Sequence, residues 1–208
     1  MAKPKLTTKP RKVPAQERSR ATVDAIMQAS TYILNEVGWG GLNTNAIAER
    51  AGVNIASLYQ FFPNKQAVIA ELQRRHAMAI HGDLHLALQH MSEQPTLRAA
   101  LTVIVEMVVK EHRSAPEVHK AISEELPLSQ RCNQDGQGKI LEKMLNALQP
   151  FMKNVPDPKL ATYMVGISMQ AIVHQVTNQK PELLNHSNLV SELVTLVERF
   201  LIRDLVNQ

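Results

Sequence analysis

Residues 51–65 read AGVNIASLYQFFPNK, and the fold turns on how that stretch is arranged. The chain holds one Trp, three Tyr and four Phe, yet Tyr59, Phe61 and Phe62 fall within four consecutive positions between a glycine and Pro63. Gly52 permits the positive φ of a tight turn, Asn54 is a natural N-cap, and Pro63 disfavours helix at the residue before it. Together they bracket a helix of about two turns, from Asn54 to Phe61 or Phe62. Upstream, Thr44 is the expected N-cap of a second short helix, NAIAERAG, stopped by Gly52. Helices this short are not stable alone, so Ile47, Ala48, Ala51, Val53, Leu58 and Phe61 must press on neighbours.

Working outward, nearly every segment after Arg18 has helical spacing, and none shows sustained strand alternation, which predicts an all-α protein. The first helix is expected over 18–37, with Val23, Ile26, Met27, Ser30, Ile33, Leu34 and Val37 on its apolar face. Asn64 should cap a fourth helix running to about Met91. Further helices are expected over 96–114, 116–126, 129–152, 159–178 and 188–206, with prolines between them. This predicts residues 18–64 as a three-helix domain and 65–208 as a larger helical one, with helix 65–91 joining the two.

The small Ala48 suits a close helix crossing, and Val53 plugs the angle between the two short helices. That is the pattern of a helix-turn-helix, whose second helix enters the major groove of DNA. In this reading Leu58, Phe61 and Phe62 make a rigid mount. Tyr59 shares the opposite face with Asn54, Ser57 and Gln60, and its hydroxyl can reach a phosphate. Lys65 and the N–H groups opening the fourth helix make a second phosphate site.

Charge is unevenly placed. Lys3, Lys5, Lys9, Arg11, Lys12, Arg18 and Arg20 face only Glu17 in the first twenty residues, seven charges against one, so the remaining 188 carry a net −2 of the chain's +4. Residues 1–17 therefore read as a basic, proline-containing arm expected to be largely disordered, and such an arm can seek a polyanion. No apolar signal follows it and no run is long enough to span a bilayer. Cys132 is alone, which excludes a disulfide framework and a cysteine-based zinc site. A cytoplasmic protein without a cofactor, metal or membrane partner is expected.

The segment TNAIAERAGVNIASLYQFFPNKQAVIAEL, residues 44–72, resembles the DNA-binding region of the TetR family of bacterial transcriptional regulators, in which a Leu-Tyr pair, an aromatic and a Lys opening the fourth helix recur. The strong resemblance runs from Arg18 to Leu72; the rest agrees in length and helical class. It implies phosphate contacts from Thr44, Tyr59 and Lys65, and groove contacts from Asn45, Asn54, Ile55, Ala56, Ser57 and Gln60. Ile55 and Ala56 depart from polar base readers and would meet thymine methyls. The resemblance further implies a repressor of an inverted-repeat operator, released when a small-molecule effector enters the carboxy-terminal domain.

Residues 160–176 are apolar nearly all round, and the expected helix 188–206 repeats the pattern through Leu189, Val190, Leu193, Val194, Leu196, Val197, Phe200 and Leu201, more than a monomer can bury. This predicts a homodimer through 159–178 and 188–206. Flexible apolar side chains in this half, with Met107 and Met144 beside the polar Tyr163 and His174, are candidate effector contacts, although methionines also serve as plain core. His81 and His85 share a helix face without a third ligand, and Glu106 lies on a face with Lys110, as a solvated pair would. Two other classes compete: a helical enzyme, and an adaptor that binds only protein. The enzyme lacks a phosphate-cradling loop, a plausible carboxylate pair or a Cys-His arrangement. The adaptor leaves the basic arm and Lys65 unexplained.

Overall fold

A computed structural model describes Thr8 and residues 17–126 and 134–203. The rest of the basic arm, residues 129–133 of one expected helix and 204–206 of another lie outside these. In chain order the helices are α1 (Glu17–Val37), α2 (Thr44–Arg50), α3 (Ile55–Phe61), α4 (Lys65–Ser92), α5 (Leu97–Ser114), α6 (Pro116–Glu125), α7 (Gln134–Leu148), α8 (Pro158–Gln179) and α9 (Leu189–Leu201), with short 3-10 turns at Trp39–Gly41, Gln149–Phe151 and Pro181–Asn185. The fold is all-α. Extended pairing among the described residues is a single bridge between Lys153 and Ile202. That bridge follows the end of α9 at Leu201, where Lys153 N–H donates to the Leu201 carbonyl and Arg203 N–H donates to Lys153.

Two compact units emerge, and the division falls inside α4 between Met78 and Ala79. The first unit contains the described residues as far as Met78 and the segment beginning at Glu117, so α6 belongs to it. Its core is the apolar face of α1 with the short helices. Ile26, Leu34, Ile47 and Leu58 are fully buried, and Phe62 is nearly so. Val37, expected on that face, is instead 65% exposed, because the helix ends there and Gly38 turns away at φ 77°. Arg75 of α4 ties back to α1 through Asp24 at 2.7 Å.

The caps show why the short helices stop where they do. Gly52, at φ 65°, lets its N–H donate to Glu49 and the Val53 N–H donate to Ala48, the paired bonds of a Schellman ending. Asn54 caps α3, its side chain accepting from the Ala56 N–H at 2.8 Å, and Asn64 caps α4 through Ala67 at 2.8 Å. At α2 the expected cap is one residue off. Asn43 takes that role, accepting from the Ala46 N–H at 2.9 Å, and Thr44 is the first helical residue. Asn and Thr both suit an N-cap, and the extended conformation at Asn43 decides between them.

The second unit holds Ala79–Pro116 and the described residues after Cys132. Met91, Leu101, Leu148, Leu184 and Leu201 are buried at its centre, with Val165 and Val173 of α8 and Val194 and Val197 of α9 against them. Thr96 caps α5 and Asp157 caps α8, with Pro158 in the first turn where its missing N–H costs nothing. No helix of the described residues is long and apolar enough to cross a membrane.

Candidate nucleic-acid interface and ligand cavity

Seven residues make α3, and burial divides them cleanly. Leu58 and Phe61 face inward with Phe62 just beyond, while Asn54, Ala56, Tyr59 and Gln60 are exposed and Ile55 and Ser57 half-buried. The sequence-read mount and its opposite face are therefore both present. Asn54 uses its Oδ1 in the cap, so what it can offer a base edge is its amide NH₂.

Thr44 and Tyr59 stand fifteen residues apart in sequence, yet their hydroxyls meet at 3.0 Å. Being first in α2 rather than its cap leaves the Thr44 side chain available for this contact. A paired Thr and Tyr hydroxyl at the N-terminus of a helix is a donor set that suits one phosphate oxygen cluster. Asn45 follows on the exposed side.

Lys65 opens α4 in a setting the sequence did not reveal. Its ammonium lies 2.9 Å from Glu125 of α6 and 3.8 Å above the Trp39 ring. Gln66 donates to the other oxygen of the same carboxylate. Glu125 is sixty residues away and carries no local signal; the lone Trp in GWGG was the only hint that this corner is built. A further cation, Arg50, stacks on Tyr32 at 3.6 Å. Along α4, Glu71 is 8% exposed and held by Arg74 at 2.6 Å and Arg75 at 3.0 Å. Burial works to raise its pKa, but the hydrogen bonds and charges of Arg74 and Arg75 outweigh it and hold the carboxyl below its ordinary value.

The second unit contains a cavity of about 720 Å³. Ile104 and Val108 of α5, Leu141 and Met144 of α7, and Val165 and Met169 of α8 are typical of its wall. His112, Tyr163, Gln170 and His174 give it polar points. Of the candidate effector contacts, Met144, Tyr163 and His174 line the cavity; Met107 does not, and instead packs, partly buried, against the core of the unit. His112 was missed in the sequence. Its Nδ1 lies 2.9 Å from the Val108 carbonyl, to which it can only donate, and its ring meets His174 edge to face at 4.8 Å. Glu106, His81 and His85 are exposed, with His85 Nδ1 2.9 Å from Lys143.

Residues 96–201 match the family model described as tetracyclin repressor-like, C-terminal domain, and residues 26–72 match bacterial regulatory proteins, tetR family. The chain belongs to the TetR family. The helices α2 and α3 lie within the residues matched by the second of these models. Among curated proteins, the tetracycline repressor protein class C of Escherichia coli is 41% identical over 49 residues, 24% of this chain and 22% of that repressor. The chain thus matches less than a quarter of that relative's length. Among solved structures, a TetR-family transcriptional regulator from Mesorhizobium loti aligns with TM-score 0.61 at 17% identity, over 89% of this chain and 96% of that one. The fatty acid degradation regulator FadR from Bacillus halodurans aligns with TM-score 0.59 at 20% identity, over 89% and 97%. At these identities the structural likeness shows the fold alone.

Proposed function

We propose that this TetR-family protein is a ligand-responsive repressor that binds an inverted-repeat operator as a homodimer. The observation that carries the DNA-binding part is the division of α3, with Leu58 fully buried beneath and Tyr59 and Gln60 exposed beside the Thr44–Tyr59 hydroxyl pair. Phosphates are met by Thr44, Tyr59 and Lys65; base edges are met by Asn45, Asn54, Ser57 and Gln60, with Ile55 and Ala56 against thymine methyls. Lys65 exchanges Glu125 for a phosphate when DNA arrives. Such work places the protein in the cytoplasm.

The dimer reading rests on a stripe of α8. Leu160, Tyr163, Met164 and Ile167 follow the three- and four-residue helical spacing and are 46–53% exposed, and Leu196 of α9 is 54% exposed. An apolar stripe this continuous is covered in a stable protein, and two-fold pairing of α8 and α9 with their symmetry mates covers it. The operator then has two half-sites about one helical turn apart. An effector in the cavity acts by binding the DNA-incompetent state more tightly than the competent one. Light scattering at micromolar concentration tests the dimer, for which the mass of two chains is expected; the mass of one chain refutes it. A salt titration of DNA binding tests the rest: strong, salt-sensitive affinity supports a regulator, and salt-insensitive or absent binding favours an enzyme or adaptor.

A further inference from the structure

The walls of the cavity narrow what it can hold, a step that rests on the ligand-responsive reading. No Asp, Glu, Lys or Arg is among the described residues lining it. A cationic ligand would be without a carboxylate, and a phosphorylated one without a guanidinium or ammonium. A sugar would have more hydroxyls than four polar side chains can satisfy. A planar polycycle would find one phenol ring to stack on, that of Tyr163, which is 51% exposed. What remains is a ligand whose bulk is aliphatic, matched by branched side chains and adaptable methionines.

Two glycines add an independent observation. Gly138 of α7 and Gly166 of α8 both line the cavity, and a Cβ added at either would meet no atom within 4 Å. Glycine is among the poorest helix formers, and here no close packing calls for it. Gly166 sits mid-helix with Tyr163, Met169, Gln170 and His174 at helical spacing along the same face. Their effect is to leave room. At the polar points, the proton on His112 Nδ1 makes Nε2 an acceptor in the neutral ring, and the Gln170 amide both donates and accepts. These groups suit a single oxygen-bearing head.

We propose that the cavity binds a long-chain aliphatic molecule whose single head group carries an O–H, a fatty alcohol or the protonated form of a fatty acid, and that Gly166 keeps its path open. Binding then deepens with chain length. Each added methylene should tighten affinity about fourfold, the factor corresponding to ~0.8 kcal/mol per buried CH₂.

Thermal unfolding of the full chain tests this with decanoic acid, dodecanoic acid and dodecyltrimethylammonium, each below its micellar concentration, and with 1-dodecanol below its solubility limit. The expected result is a rise in Tm with dodecanoic acid or 1-dodecanol, a weaker rise with decanoic acid corresponding to roughly sixteenfold lower affinity, and none with the ammonium. A response to one head alone assigns the source; a response to both assigns the shared chemistry. Gly166→Leu should abolish the rise while melting no lower than the native chain, and Gly166→Ala should melt higher and still bind. An equal response to the ammonium, no response to either oxygen head, or a rise that survives in Gly166→Leu overturns the proposal. Nonspecific DNA binding measured on the same samples separates the two readings. If lipids bind and DNA does not, the regulator reading fails alone; if DNA binds and lipids do not, the ligand class fails alone.

Discussion

α3 has seven residues and rests on Leu58 and Phe61, with Phe62 closing it, all 0–6% exposed. α8 has twenty-two residues and leaves Leu160, Tyr163, Met164 and Ile167 about half exposed, with a glycine facing an open cavity. The first arrangement fixes a short surface in one orientation, as a groove reader needs. In the second, Tyr163 and Ile167 belong both to the exposed stripe and to the cavity wall, so the proposed partner and the proposed ligand would share one face, as coupling between them needs. Rigidity comes from aromatic and aliphatic side chains with no space around them; adaptability comes from glycine, methionine and unfilled volume.

Substitutions that invert this contrast should have the largest effects. Phe62→Ala removes a ring that is 1% exposed and should cost about 3–5 kcal/mol, with DNA binding lost alongside, as read by denaturant unfolding and duplex titration. Gly166→Ala in α8 should do the opposite and stabilise by up to ~1 kcal/mol, since the methyl enters open space and the helix gains propensity. Loss of stability in Gly166→Ala would mean that the cavity face is more tightly packed than described.

Smaller effects sharpen the account of the amino-terminal unit. Glu125→Gln leaves Lys65 without its carboxylate partner, so it should raise affinity for any DNA by up to about fivefold, in line with ~0.2–1 kcal/mol for a partly exposed pair. A fall in affinity would assign Glu125 a supporting role for Lys65. The smallest effect is in acid. Because Arg74 and Arg75 hold the folded-state pKa of Glu71 below its ordinary 4.5, the stability it contributes is present above that value and is lost as pH falls through the lower folded-state value. Glu71→Gln should therefore show a shallower loss of stability below about pH 4.5 than the native chain, measured by urea unfolding against pH.

Local signals in the sequence were enough for what local physics decides. The turn at Gly52, the caps at Asn54 and Asn64, and the inward set of α3 all rest on residues within a few positions of one another. Where two good capping residues adjoin, as at Asn43 and Thr44, composition does not choose between them. What escaped depends on distant chain. Glu125 reaches Lys65 across sixty residues, the Thr44–Tyr59 contact joins two helices, and the cavity is lined jointly by α5, α7 and α8 with Leu84 of α4 and Val197 of α9. Met107 and Met144 look alike in sequence and both pack against the core, yet only Met144 also lines the cavity, because helical phase relative to a neighbour sets the difference.

The most direct test of the reading surface compares Lys65→Ala and Gln60→Ala on a selected operator duplex and on a scrambled one, across a range of salt. Lys65 meets a phosphate in this account, so Lys65→Ala should weaken both duplexes alike and flatten the log–log salt slope by about one unit per monomer contact. Gln60 meets a base edge, so Gln60→Ala should lose ~1–3 kcal/mol of discrimination at one symmetric pair of positions while leaving scrambled DNA nearly unaffected. A sequence-selective loss in Lys65→Ala, or an equal loss on both duplexes in Gln60→Ala, would contradict the assignment.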